Sequence, residues 1–245
     1  MVHSTMMQVP LSVSHLLERS RWLFGKREIV SRLPDRSITR TSYAALYDRA
    51  RRLAAALVRE RVKPGEPVGT LMWNSIWHME AYFGIPASGA VLHTLNLRLS
   101  PQDLAHIIKD AGDRIVIVDD TLLPLLEQVL SLVSIERIVV VPTGGSQVTP
   151  RYANYEEFIV PDAVDFMYPA LDENAPCGMC YTSGTTGRPK GVDGHLADPG
   201  CPTRPLEAAS WAAHDGWRRR GGPFADRGAR AAWTINQAWL GHDWI

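Results

Sequence analysis

The chain has 245 residues, of which 45% are hydrophobic and 21% are charged, a composition typical of one or two globular domains. The formal net charge is zero, so the sequence offers no basic field that would attract a nucleic-acid partner. No apolar run approaches the length of about 18 residues that a membrane helix needs, and the first residues lack the pattern of a secretory signal. We therefore expect a cytoplasmic protein without a transmembrane segment.

The first strongly periodic segment follows Thr41 and Ser42. Its apolar residues recur at helical spacing and are Leu46, Ala50, Leu53 and Leu57. The pattern predicts an amphipathic helix that begins with a hydroxyl cap. Its arginines fall at other positions of the helix and are Arg49, Arg51, Arg52 and Arg59. We interpret them as a solvated face and not as an anion-binding site.

Short apolar runs then alternate with helical patterns. Strands are predicted at residues 68–72, 90–95, 114–118 and 138–141, and helices at residues 74–87, 100–111 and 122–132. Parallel strands need a crossover helix to return the chain to the same end of the sheet. The alternation therefore predicts an α/β fold with a parallel sheet layered with helices.

A turn-rich linker is predicted at residues 142–146, and a further strand at residues 178–182. The second of these leads directly into a loop rich in glycine and hydroxyl residues. Open α/β sheets usually place their ligands at the carboxyl ends of the strands. The position of the loop is therefore suited to a binding site.

Residues 181–192 read YTSGTTGRPKGV. Glycines at 184, 187 and 191 let the backbone approach an anion closely, so that N–H groups can point at phosphate oxygens. The hydroxyl groups add hydrogen-bond donors, and the single lysine adds a mobile positive charge. The predicted phosphate-binding residues are Thr182, Ser183, Gly184, Thr185, Thr186, Gly187 and Lys190. Residues 182–190 are called the phosphate segment below.

Two alternatives to this interpretation exist. The spacing differs from the G-x-x-x-x-G-K-[ST] pattern of P-loop NTPases, because Pro189 precedes the lysine and Gly191 follows it. A P-loop kinase or GTPase is therefore the less favoured enzyme class. A Ser/Thr/Gly-rich surface loop without a ligand is the structural alternative.

Cys177 and Cys180 match the C-x-x-C pattern of metal and redox sites. Residues three apart on a strand face opposite sides, and Cys201 is the one further thiol in the sequence. We therefore expect neither a zinc site nor a redox site, and the odd count of cysteines agrees with a reducing compartment.

Three histidines lie on or beside predicted elements: His78, His93 and His106. None has a serine or cysteine partner identifiable from the sequence, so we interpret them as core or surface histidines. His93 stands apart because it lies at the end of a strand of the same sheet. We assign no catalytic residue and no metal ligand from the sequence.

Three segments carry a family resemblance. Residues 181–192 resemble the signature of the adenylate-forming (AMP-binding) superfamily, residues 38–46 resemble an early helix of that family, and residues 89–100 resemble its acyl-CoA synthetase branch. The resemblance covers roughly residues 10–192. The sequence is thus similar to acyl-CoA synthetases and fatty-acid–CoA ligases.

This resemblance implies a reaction with ATP, Mg²⁺ and coenzyme A. A carboxylate attacks the α-phosphate of ATP to give acyl-AMP and pyrophosphate, and the thiol of coenzyme A then displaces AMP. In this family the phosphate segment holds the β- and γ-phosphates, and Lys190 would balance the charge on the departing pyrophosphate. The branch favours a fatty acid of medium or long chain as the substrate.

The resemblance stops after Val192. Residues 193–245 contain no valine, lysine or tyrosine, but they hold five of the eight tryptophans of the chain. We expect residues 1–192 to be a truncated N-terminal AMP-binding domain and residues 193–245 to be an irregular, poorly folded tail that arises from a shift of reading frame. An unfamiliar C-terminal subdomain is the alternative.

Two functions follow from these predictions. The first is ATP-dependent activation of a carboxylic acid to acyl-AMP and then acyl-CoA. The second is a non-catalytic fragment or pseudogene product that keeps a partial phosphate loop, because Lys190 is the last lysine and the resemblance implies a later one that contacts the α-phosphate. With the tail as expected, we predict that the chain is inactive by itself.

Overall fold

The computed structural model describes residues 10, 12–145, 149–159, 165–182 and 189–195. The helices are α1 (Val13–Phe24), α2 (Tyr43–Arg59), α3 (Ile76–Ala87), α4 (Pro101–Ala111), α5 (Leu123–Val129) and α6 (Tyr155–Ile159). The strands are β1 (Glu28–Arg32), β2 (Ile38–Ser42), β3 (Pro67–Leu71), β4 (Val91–Thr94), β5 (Ile115–Asp119), β6 (Arg137–Val141), β7 (Ala153–Asn154), β8 (Pro176–Thr182) and β9 (Lys190–His195).

The larger sheet has the strand order β7-β6-β5-β3-β4-β8-β9, and β1 and β2 form a separate antiparallel pair. Neighbouring strands from β7 to β8 run parallel, whereas β9 runs antiparallel to β8. The predicted parallel sheet layered with helices is therefore confirmed. All the strands and helices predicted from the sequence are present, with small differences in their ends.

Helices cover both faces of this sheet. Successive residues of β5 point to opposite faces of the sheet. Ile115 and Ile117 pack in the apolar cluster that includes α2, α3 and α6. Val116 and Val118 pack on the other face with α4 and α5. A strand that is buried on both faces reads as a continuous apolar run. This explains why the run at residues 115–118 shows no alternation of polar and apolar residues.

Serine side chains begin the three longest predicted helices. The side chain of Ser42 accepts a hydrogen bond from Ala45 N, that of Ser75 from His78 N, and that of Ser100 from Asp103 N. Each bond satisfies a backbone N–H that has no partner within the first turn. The hydroxyl cap predicted for α2 is confirmed, and α3 and α4 begin in the same way.

The interpretation of the arginines of α2 as a solvated face is wrong for Arg49 and Arg51, which are half-buried, and holds for Arg52 and Arg59, which are exposed. Arg49 forms ion pairs with Glu80 on α3 and Glu156 on α6, and the side chains of Arg51 and Arg59 donate to the carbonyl oxygens of residues 166 and 158. The partners are distant in sequence, so the charge pattern of the helix alone could not reveal them.

None of the helices in the described residues combines the length and apolar character needed to cross a bilayer. Residues 196–245 lie outside the described residues. Strand β9 crosses residue 192 and ends at His195, and the predicted boundary and the predicted irregular tail stay predictions.

Candidate phosphate-binding site

The phosphate segment follows β8, whose end lies at the same edge of the sheet as the ends of its parallel neighbours. We call this edge the carboxyl edge, and it also carries the segments that follow β3, β4, β5 and β6. Parallel α/β sheets bind ligands at this edge because the loops there leave backbone N–H groups and helix N-termini unpaired. The predicted site is therefore placed where the fold can offer such groups.

Two of the predicted phosphate-binding residues are brought together at the base of the segment. Thr182 ends β8 and is paired with Lys190, the first residue of β9, across an antiparallel rung. Lys190 is exposed, so its ammonium group is accessible to an anion in solution. The other predicted residues connect these two and lie outside the described residues: Ser183, Gly184, Thr185, Thr186 and Gly187.

The strand β9 and the residues that support it were not predicted. Tyr181 pairs directly with Gly191 in the rung next to Thr182 and Lys190. A Cβ atom at Gly191 would lie 3.1 Å from Tyr181 Cζ, so the missing side chain makes room for the ring. Gly191 does not have a left-handed backbone, and its place in the motif therefore has a packing reason besides the predicted approach to an anion.

Tyr181 also contacts two further elements. Its hydroxyl donates a 2.7 Å hydrogen bond to Asp110 Oδ2 on α4, and its ring lies 5.3 Å from the imidazole of His93 on β4, centroid to centroid. Partial burial, the bond to Asp110 and the nearby carboxylates raise the pKa of Tyr181 well above its ordinary value. The hydroxyl is therefore a hydrogen-bond donor at any physiological pH.

His93 is fully buried and is held by a second carboxyl group. His93 Nδ1 and Asp113 Oδ2 are joined by a 2.7 Å hydrogen bond, and both side chains are inaccessible to solvent. Burial raises the pKa of Asp113, while its bond to His93 opposes this effect. His78 is also buried, and burial lowers its pKa to about 4. Of the two positions predicted, core or surface, His78 and His93 occupy the core, and His106 on α4 is half-buried.

A buried aspartate also lies on the carboxyl edge. Asp119 ends β5, is inaccessible to solvent, and accepts a 2.7 Å hydrogen bond from the backbone N–H of Trp73, just beyond β3. Its Oδ1 has no hydrogen-bond partner in the part of the chain that the structure describes. Burial raises the pKa of Asp119 to about 7, and the neighbouring charge of Asp120 acts in the same direction.

The cysteines of the C-x-x-C pattern are free thiols on β8. Cys177 is buried and donates to the carbonyl oxygen of Gly194 on β9. Burial, followed by the charge of Asp193, raises the pKa of Cys180. The described residues hold no group of three or more His, Cys, Asp or Glu side chains that could bind a metal ion.

Known proteins are similar to this chain over nearly the whole described region. The sequence profile of the family described as AMP-binding enzyme matches residues 22–194. The chain is 44% identical to a long-chain-fatty-acid–CoA ligase of Thermus thermophilus over 190 residues, which cover 77% of this chain and 34% of that protein. It is 38% identical to a 3-methylmercaptopropionyl-CoA ligase of Ruegeria lacuscaerulensis over 191 residues, which cover 76% of this chain and 35% of that protein.

Solved structures agree with these matches. An anthranilate CoA ligase solved in complex with anthranoyl-AMP superimposes with a TM-score of 0.72 and 26% sequence identity, over 85% of this chain and 38% of that chain. The present chain spans about a third of the length of the curated relatives that it matches.

Proposed function

The chain belongs to the AMP-binding enzyme family, and on this premise we propose that it carries the ATP phosphate-binding part of an acid–CoA ligase. The complete reaction is the ATP-dependent activation of a carboxylic acid, a fatty acid in our proposal, to acyl-AMP and then to acyl-CoA. Relatives named as fatty-acid–CoA ligases, including the long-chain enzyme of Thermus thermophilus, support this substrate class.

The first step joins a carboxylate oxygen to the α-phosphorus of ATP and breaks the bond from that phosphorus to the bridging oxygen, which releases pyrophosphate. In the second step the sulfur of coenzyme A bonds to the acyl carbon, AMP leaves, and the thiol proton passes to solvent. We assign to the phosphate segment the task of holding the β- and γ-phosphates. Lys190 then balances the charge that develops on the leaving pyrophosphate.

One observation carries the proposal. Thr182 and Lys190, which flank a stretch of sequence rich in glycine and hydroxyl residues, are paired at the carboxyl edge of a parallel sheet. A lysine ammonium group supplies three donors and a point charge, and threonine supplies a hydroxyl donor, so both suit phosphate oxygens. The pairing places their backbones side by side, so that one anion can reach both.

Mg²⁺ would reduce the charge of the triphosphate when it is bound. The described residues provide no cluster of carboxylates for it, so we assign no protein ligand to the ion. We likewise assign no residue to coenzyme A. The part of the reaction that we derive from this chain is therefore the binding and charge compensation of the phosphates.

Replacement of Lys190 by alanine tests this assignment. We expect the full-length chain to bind inorganic pyrophosphate, and we expect Lys190→Ala to weaken that binding by about tenfold, because a charged hydrogen bond to the anion is lost. The measurement is isothermal titration calorimetry with pyrophosphate and, separately, with ATP.

Lys63→Ala is the matched control, because this exposed lysine precedes β3 at the opposite edge of the sheet and the substitution changes the net charge equally. A wild-type chain that binds neither pyrophosphate nor ATP would contradict the proposal. Exchange of labelled pyrophosphate into ATP, driven by a panel of fatty, aryl and thioether acids, then separates the two candidate functions. Binding with exchange identifies an enzyme, and binding without exchange identifies the non-catalytic alternative.

We also propose that a change of reading frame follows Val192. The family match ends at residue 194, which supports a change of character near this point. Sequencing of the coding DNA provides the test: we expect another frame beyond the codon of Val192 to continue the family resemblance. If neither of the other frames does so, residues 193–245 are a genuine C-terminal subdomain.

A further inference from the structure

Tyr181 directly precedes the phosphate segment in the sequence, and its backbone belongs to the same strand as Thr182. Tyr181 pairs with Gly191 across β8 and β9, and the next pair along the two strands is Thr182 with Lys190. A paired strand transmits the position of one rung to the next, because the spacing of the backbones is set by the hydrogen-bonded ladder. Whatever fixes Tyr181 therefore also fixes the base of the phosphate segment.

Three elements hold the side chain of Tyr181. Asp110 on α4 accepts its hydroxyl hydrogen bond at 2.7 Å, and His93 on β4 lies against its ring. On the third side, a Cβ atom at Gly191 would lie 3.3 Å from Tyr181 Oη as well as close to the ring. The ring therefore lies close against Gly191 on β9, where any larger residue would require the ring to shift.

The supports of Tyr181 are themselves held in place. His93 is fully buried and joined to Asp113 by a 2.7 Å hydrogen bond, so the imidazole cannot turn away from the ring. Asp110 lies in the last turn of α4, whose apolar residues belong to the core. The side chain of Tyr181 is therefore held by a buried imidazole on one side and by a surface hydrogen bond to a packed helix on the other.

We propose that Tyr181 is a positioning residue for phosphate binding and that Asp110 is its partner. By tying the base of the β8–β9 hairpin to α4, the pair holds Thr182 and Lys190 at a fixed separation before the anion arrives. Preorganised donors bind more tightly because less conformational entropy is lost on binding. The inference rests on the proposed function, since it assigns a role within the same site.

The first experiment measures pyrophosphate binding by calorimetry to full-length variants. We expect Tyr181→Phe and Asp110→Ala each to weaken binding by about three- to tenfold, which corresponds to the loss of one net hydrogen bond. The double variant should bind no more weakly than either single variant, because both remove the same bond. Single-variant affinities within twofold of the wild type, or effects that add in the double variant, would refute the role.

Tyr152→Phe is a matched control for stability. Tyr152 also donates its hydroxyl to a carboxylate, that of Glu127, at 3.2 Å, but it precedes β7 at the far end of the sheet. We expect this variant to lose stability comparably to Tyr181→Phe and to keep the wild-type affinity for pyrophosphate. A parallel loss of affinity in the control would show that the effect is a general one on the fold.

The second experiment does not depend on ligand binding. Amide hydrogen exchange in the ligand-free chain should be faster at Gly191 and Val192 in Tyr181→Phe and Asp110→Ala than in the wild type, with the amides of β5 unchanged. Unchanged exchange at β9 would overturn the positioning role even if pyrophosphate binds. If the variants exchange faster but the wild-type chain binds no pyrophosphate, the hydrogen bond between Tyr181 and Asp110 does stabilise β9, and it is the proposed function that fails.

Discussion

Replacement of Arg49 by methionine is expected to lower the free energy of unfolding by about 3–5 kcal/mol near neutral pH. The guanidinium group donates to Glu80 through Nε and to both carboxylate oxygens of Glu156 through its other nitrogens. Glu80 is almost fully buried. Methionine keeps the length of the side chain but leaves this carboxylate buried without a cation, which is the costly way to break an ion pair.

The loss of stability in Arg49→Met is also expected to depend on pH. In the wild type, burial already raises the pKa of Glu80, and in the variant its remaining hydrogen-bond donor is Tyr155, so this pKa rises further. A raised carboxyl pKa costs stability as pH increases above the unfolded-state value, and the cost is absent below it. The deficit of the variant should therefore be smaller at about pH 5 than at about pH 7.5.

Urea unfolding of the full-length chain measures both effects. Arg52→Met is the matched control, because Arg52 lies on the same helix and is exposed; we expect a change below about 0.5 kcal/mol. The double variant Arg49→Met/Glu80→Gln should recover about 1–2 kcal/mol, because it removes the buried charge along with its partner. A loss of less than about 1 kcal/mol in Arg49→Met would contradict the structural role that we give to this ion pair.

The main sheet and its helices were predictable because their signals are local. Each predicted strand is a compact apolar run, and the helices combine apolar periodicity with serine caps such as Ser75 and Ser100. The β1–β2 pair was missed because its pattern contradicts that signal: Val30 is exposed, whereas Ser31 is buried. Exposed Trp22 at the end of α1 obscures the periodicity of that helix in the same way.

In the candidate site, too, the residues of a local motif were predictable and the long-range contacts were not. The proposed phosphate-binding residues come from one contiguous motif, and the structure pairs two of them, Thr182 and Lys190. The tie from Tyr181 to Asp110 spans 71 positions of sequence, and the ion pair from Arg49 to Glu156 spans 107. Such contacts depend on how helices dock on the sheet, and no local pattern of residue types encodes them.

Replacement of Asp119 by asparagine is expected to change how stability depends on pH. Burial raises the pKa of Asp119 from its ordinary 3.8 to about 7, so the folded state binds a proton that the unfolded state has already lost. Stability contributed by this protonated group is present below the unfolded pKa and is lost as pH rises towards the folded pKa. The wild type should thus lose about 2–3 kcal/mol from this group alone between about pH 5 and pH 8.

The variant lacks this loss because an amide does not ionise. The amide oxygen introduced by Asp119→Asn can still accept the hydrogen bond from Trp73 N, while the new NH₂ group takes the place of Asp119 Oδ1, which has no partner in the described part of the chain. We therefore expect Asp119→Asn to be near neutral or destabilising at about pH 5 and more stable than the wild type at about pH 8.

Thermal or urea unfolding across this pH range, with Asp48→Asn as the control for removal of an exposed carboxylate on α2, measures the difference. The free energy of unfolding of Asp48→Asn should depend on pH in the same way as that of the wild type. The curve for Asp119→Asn should cross the wild-type curve between about pH 5 and pH 8. A constant offset between Asp119→Asn and the wild type at every pH would mean that Asp119 does not titrate in this range. In that case the carboxylate is stabilised in its charged form at the carboxyl edge, and the hydrogen bond from Trp73 outweighs the cost of burial.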